Sequence, residues 1–289
     1  MKKIKRMALM TLVIALCLAG CGDTMKIAGV EVKPDGTSLD IHGRDIGITD
    51  WAKLSQLTGL KTLDLEHTNI SDLSMLSTLT ELEELDITRC EQVKDLTPLT
   101  NLKKLRRLSL TATNVADLSP LTELPELKSL YIKYGNCDLS QLNGLDLEYL
   151  GLERATDYLA PIAEMKNLKS LYVYTVGGMD TSCVSELTSL EHLKLYTEVA
   201  DLTPLAGLTN LKTLDIQETT DDVSPLCGLN NLEELAIRGD NTDVSVLSTL
   251  PNLKKLTIRS HSLMNIDSAY ALSDSIPGLQ LELEGMMGY

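Results

Sequence analysis

The chain has 289 residues, with 26 Lys and Arg against 41 Asp and Glu, a formal charge of −15 and 43% hydrophobic residues. It holds no Phe, one Trp and nine Tyr, so its core must be aliphatic. A surface this acidic repels polyanions, and without a basic stripe to neutralise phosphates it excludes nucleic acid as a partner.

Residues 1–20 read as a signal peptide. Lys2, Lys3, Lys5 and Arg6 form a charged start, and Met7 to Leu18 an apolar run of about a dozen residues, shorter than the roughly 20 a spanning helix needs. The junction Leu18-Ala19-Gly20-Cys21 resembles the lipobox of bacterial lipoproteins. That resemblance implies attachment of a diacylglycerol, carrying palmitate-class acyl chains, to the Cys21 thiol and cleavage before Cys21. It places the protein on the outer surface of a bacterial membrane, at the cell envelope. The alternative is an ordinary secretory signal with an incidental Cys. Removing the four leader cations from 26 leaves 22 against 41 acidic residues, a balance of −19. Gly22 to about Lys26 form a short tether that keeps the folded part near the membrane.

Residues 21–59 thus hold the lipidated Cys, the tether and an N-terminal cap. Within the cap, Ile27 to Val32 and Ser38 to Ile41 are short strand candidates around a hairpin turn at Asp35-Gly36. Trp51, Leu54 and Leu57 lead from the cap toward Leu60.

From residue 60 to 260 the chain repeats itself. The pattern Leu-x-x-Leu-x-Leu begins at Leu60, Leu63 and Leu65 and recurs from Leu82, Leu105, Leu127, Leu147, Leu168, Leu190, Leu211, Leu232 and Leu253, with starts 20 to 23 residues apart. This is the leucine-rich repeat, in about ten units. Each unit should give one short strand whose apolar residues face inward and can be buried only by the next unit. The fold class expected is an α/β solenoid, a leucine-rich-repeat horseshoe with a parallel concave sheet and short 3-10 or irregular convex turns. The return segments Thr97-Pro98-Leu99, Ser119-Pro120-Leu121, Thr203-Pro204-Leu205 and Ser224-Pro225-Leu226 suit a helix N-cap followed by a first-position Pro.

The 21–22-residue unit with its Asp-Leu-Thr-Pro-Leu resembles the repeats of the internalin family. That resemblance implies a concave sheet that grips proteins, in some members host receptors. The Asn usual after each strand is replaced here by Thr68, Cys90, Thr113, Gly135, Ala155, Val176, Glu198, Thr219, Asp240 and His261. Residues 261–289 form a C-terminal cap, with a short helix over Ile266 to Ile276 and a closing strand over Leu279 to Leu283.

Cys90, Cys137, Cys183 and Cys227 lie two repeats apart, about 10 Å at strand spacing and too far for a disulfide, so four free thiols are expected. No Cys pair has zinc spacing, no His has a neighbour at ligand spacing, and no nucleophile elbow or phosphate loop is present. No metal site, cofactor or catalytic residue is expected, and the protein is read as no enzyme. Asp221-Asp222 reads as a solvated loop, with weak calcium binding as its alternative.

Strand side chains alternate, so the residues between the inward Leu positions point to the concave face. Tyr131, Tyr149, Tyr172, Tyr174 and Tyr196 all fall there in repeats four to seven, with Tyr134 at a strand end nearby and Lys194 and His192 alongside. Gly151 is expected to leave a dip between Tyr131 and Tyr172. Tyr is a favoured interface anchor, so this patch is the candidate site for a protein ligand from the envelope or host, bound by a monomer. The alternative is that Tyr, a good strand former, merely packs along the ladder. A structural envelope scaffold and a glycan-binding module on the same Tyr patch are the competing functions.

Overall fold

The computed structural model describes residues 24–133, 137–153, 159–219, 221–239, 241–260 and 266–285. The signal peptide and Cys21 lie outside these, as do Tyr134, Gly135, Ala155, Asp240 and His261. Among the described residues no helix is long and apolar enough to cross a membrane.

Stacked leucines dictate the architecture. The apolar triplets of all ten units are buried in one continuous core that also takes in both caps. A fully buried Leu contributes about 1.5–3 kcal/mol relative to exposure, and no single unit could bury its own. Among the described residues twelve strands run parallel in one sheet in strict chain order. They are β3 (Ser38–Asp40), β4 (Thr62–Asp64), β5 (Glu84–Asp86), β6 (Arg107–Ser109), β7 (Ser129–Lys133) and β8 (Tyr149–Glu153), then β9 (Ser170–Gly178), β10 (His192–Val199), β11 (Thr213–Thr219), β12 (Glu234–Arg238), β13 (Lys255–Ser260) and β14 (Gln280–Gly285). The ten repeats supply β4 to β13, and each cap adds one strand to an end.

The caps differ from expectation in one place. The hairpin joins β1 (Met25–Ile27) to β2 (Val30–Val32), and its turn is Ala28-Gly29, with φ of 47° and 82°. Both central residues have the positive φ of a type I′ turn. Asp35-Gly36 is a separate reverse turn, closed by the Gly36 N–H on the Lys33 carbonyl, and it sends β3 into the large sheet beside β4. Helix α1 (Ile48–Leu54) packs its partly buried Trp51 against the core. At the far end, helix α2 (Ile266–Ser275) and β14 close the array, close to the bounds read from sequence.

The return segments each form a 3-10 turn of three to five residues, and their capping group is not the Ser or Thr before Pro. The carboxylate two residues ahead accepts the N–H instead: Asp95 from Thr97 at 2.8 Å, Asp117 from Ser119 at 3.0 Å, Asp201 from Thr203 at 2.8 Å and Asp222 from Ser224 at 2.9 Å. Asp72, Asp138, Asp180 and Asp243 do the same where Pro is absent. The Asp spares the orphan N–H at a turn start, and its charge suits that end. Asp222 is therefore a cap within the exposed loop expected at Asp221-Asp222.

The missing Asn is replaced in two ways. Thr113 donates to the Leu110 carbonyl at 2.9 Å and the Cys90 thiol to the Leu65 carbonyl at 3.1 Å, so small polar side chains do its work after the strand. An Asn ladder stands instead at the strand entry: Asn210, Asn231 and Asn252 each donate to the preceding unit, at 2.9, 2.9 and 2.8 Å. Cys90, Cys137, Cys183 and Cys227 are all free, the first and third buried.

Candidate functional site

The register of the sheet builds the concave face. Asp40, Asp64, Asp86, Ser109, Tyr131, Gly151, Tyr172, Lys194, Asp215, Ala236, Thr257 and Glu282 stand opposite one another from strand to strand. Chemistry along this central column changes in three zones: acidic, aromatic, then mixed.

In the aromatic zone four rings form one contact chain. Tyr149 stacks on Tyr131 with centroids 5.8 Å apart and planes 22° from parallel. Tyr131 reaches Tyr172 at 6.0 Å, and Tyr172 reaches Tyr196 at 5.3 Å. Offset and tilted pairs at such distances are favoured by the ring quadrupole. Tyr174 sits in the column beyond, opposite Tyr196 and Glu153. All five rings are partly exposed. The expected dip at Gly151 is filled: a Cβ there would lie 2.5 Å from the Tyr131 ring, because that ring rests on the glycine. Burial holds the phenols of Tyr131, Tyr149 and Tyr196 above their usual range and pushes Tyr172 up to about 12. Desolvation disfavours phenolate, and the neighbouring phenols and acids add to it. The ladder is thus both self-packed and open to solvent on one face.

Lys194 and His192 flank it and are exposed. His192 Nδ1 lies 2.8 Å from the Thr213 hydroxyl. Tyr134 falls outside the described residues.

Beyond the ladder lies a chain of polar contacts that sequence reading missed. The Tyr196 hydroxyl donates to Asp215 at 3.3 Å; Arg259 Nη1 donates to the other Asp215 oxygen at 2.7 Å and its Nε to Glu284 at 3.1 Å. Arg259 and Asp215 side chains are only 18% and 15% exposed. The guanidinium crosses a whole strand to make this bond, over Ala236. That small residue in the central column was the available signal. A cavity of about 290 Å³ opens there, lined by Lys194, Asp215, Glu234, Ala236, Lys255 and Arg259 among others.

At the opposite end a groove of about 410 Å³ is lined by Thr62, Asp64, Glu84, Asp86, Arg107 and, at its inner wall, Tyr131. Asp64 and Asp86 each accept the N–H two residues on, from Glu66 at 2.8 Å and Thr88 at 2.7 Å. Cross-strand register also brings Asp40, His42 and Asp64 together, with ligand atoms within 4.8 Å of one another, an arrangement able to hold a cation and invisible in the spacing of His42 alone. His42 Nδ1 already lies 2.6 Å from Asp40, which raises the imidazole's affinity for a proton.

The comparisons with known proteins agree with the leucine-rich-repeat fold. A family profile described as "Leucine Rich repeats (2 copies)" matches residues 58–101. An internalin of Listeria monocytogenes is similar over 96% of this chain and 87% of its own, at 25% identity and a TM-score of 0.63. A leucine-rich-repeat protein of Leptospira interrogans is similar over 80% of this chain and 74% of its own, at 18% identity and a TM-score of 0.54. No curated protein sequence matches the chain.

Proposed function

We propose that this chain, whose leucine-rich-repeat array resembles that of a listerial internalin, is a surface-displayed binding module, not an enzyme, that takes a protein partner on its concave tyrosine ladder. One observation carries the reading. Tyr131, Tyr149, Tyr172, Tyr174 and Tyr196 gather on the neighbouring strands β7 to β10 of an otherwise polar face, four of them in mutual contact and all partly exposed. Rings held by one another lose little freedom on binding and offer large apolar area with a polar tip. Lys194 and His192 form the polar rim of this contact. Tyr134 is assigned to it by its place in the sequence.

In this reading residues 1–20 are removed and lipid on Cys21 anchors the module to the outer face of a bacterial membrane, as a monomer without cofactor, with its partner in the envelope or on a host. The test is crosslinked capture from native envelope by the wild type and by a Tyr131→Ser, Tyr172→Ser, Tyr174→Ser variant. Loss of a partner by the folded variant supports the reading. Equal capture by both assigns the function to another surface, as a structural scaffold would show. A glycan array run beside it returns a sugar ligand if the rings stack on glycan instead.

A further inference from the structure

We infer that the segment received by this ladder is an extended polypeptide stretch with Lys or Arg at one end, lying over β4 to β6, followed by apolar or aromatic side chains on the rings. This rests on the proposed contact role of the ladder and adds charge and direction to it.

Two features of different chemistry favour cations at the β4–β6 end. The groove ending on Tyr131 is walled by carboxylates, and Arg107, the one cation among its lining residues, is tied to Glu84 at 3.3 Å. Asp64, Glu66 and Asp86 make no salt bridge among the described residues. Asp64 and Asp86 each use one oxygen on a backbone N–H, which fixes the carboxylate and leaves the other oxygen for a ligand. The second feature is Tyr131, which lines the end of the groove, since an aromatic ring attracts Lys and Arg within about 6 Å. A basic side chain placed there meets carboxylates along the groove and an aromatic residue at its end.

The far end differs. Lys194 stands exposed in the central column next to Tyr172 and makes no salt bridge among the described residues. An acidic residue of the partner would meet it. From β4 to β10 is six strand spacings, roughly 29 Å, which about nine extended residues span. A second copy of this chain, at −15, is a poor source of such a segment.

The test is fluorescence anisotropy of the full chain with three labelled twelve-residue peptides of equal Leu and Tyr content: one with a Lys/Arg half and a Glu end, one acidic throughout, one neutral. The basic probe should bind about tenfold or more tightly than the acidic one and weaken about tenfold as salt rises from roughly 50 to roughly 300 mM. Asp64→Asn with Asp86→Asn keeps the oxygen that caps each strand end, so the fold is retained while affinity for the basic probe falls. Equal or tighter binding of the acidic or neutral probe, no binding of the basic probe, or an unchanged affinity in the double variant overturns the inference. Tyr172→Ser with Tyr174→Ser separates the two claims. If the basic probe depends on the Asp pair and not on the rings, the charge assignment stands and the ladder's contact role falls.

Discussion

Tyr131 and Tyr172 touch across a strand that separates them, and Gly151 on that strand is the reason. Residues two strands apart are about 9.6 Å from each other at the backbone, yet their ring centroids are 6.0 Å apart. The Tyr131 ring lies where any β-carbon at position 151 would be, 2.5 Å from its nearest atom. The chain of four aromatic rings is therefore conditional on one glycine.

Gly151→Ala should push the ring aside and leave the backbone in place, since the clash is with the end of a rotatable side chain. The expected loss is about 0.5–1.5 kcal/mol, that of an aromatic pair. Phenol titration by ultraviolet absorbance provides the readout. Folded-state phenols raised above the unfolded value near 10 stabilise the protein below that pH, and that stability is lost as pH rises through the folded values, about 12 for Tyr172. In the variant the Tyr131 and Tyr172 ionisations should move down toward 10. An unchanged titration curve would show that the rings do not depend on the glycine.

Arg259→Met removes the cation that reaches across Ala236 to Asp215. With both side chains mostly buried, an abandoned carboxylate is costly, about 2–4 kcal/mol by chemical denaturation. Asp215→Asn with Arg259→Met should recover much of that loss, because no charge then stays unpaired. Equal destabilisation by the single and double variants would refute the pairing.

The convex Asp caps should make the array acid-labile. Asp117 is held below the usual carboxylate range by its hydrogen bonds from Ser119, first the side chain and then the backbone N–H, and Asp72, Asp95, Asp138, Asp180, Asp201, Asp222 and Asp243 are lowered by the equivalent bonds. A depressed folded pKa gives stability that is present above the unfolded value near 3.9 and lost as pH falls through the folded value. Thermal melts from pH 7 down should show Tm falling below about pH 4. Asp117→Asn keeps an acceptor oxygen and should flatten that fall slightly, whereas Asp117→Ala should lower Tm at every pH.

The Thr111 hydroxyl is buried and has no hydrogen-bond partner among the described residues. Replacing an unsatisfied buried hydroxyl with a methyl of the same shape removes a desolvation cost. Thr111→Val should leave Tm unchanged or raise it, by up to about 1–2 kcal/mol in stability. A clear fall would mean the hydroxyl has an unseen partner.

The repeat period alone made the sheet, its register and the inward leucines legible, because a stacked unit has one way to bury its core. The concave columns could be written down from the alternation of side chains, and Tyr131, Tyr149, Tyr172, Tyr174 and Tyr196 stand in them. What was hidden came from side-chain reach. That Tyr131 covers Gly151 and that Arg259 crosses to Asp215 depend on rotamers and on small residues beneath, which strand periodicity does not encode. The caps were misassigned for a related reason. Ser-Pro and Thr-Pro mimic an N-cap signature, but the Asp two residues earlier has the stronger acceptor.

The most direct test of the central claim is site-specific photocrosslinking in native envelope, with the crosslinker placed at Tyr174 on the concave face and, separately, at Thr122 on an exposed convex turn. One protein should crosslink from position 174, be absent from position 122 and be lost when Tyr131 and Tyr172 are changed to Ser. Crosslinks from position 122 alone, or from 174 with no dependence on those tyrosines, would contradict that claim.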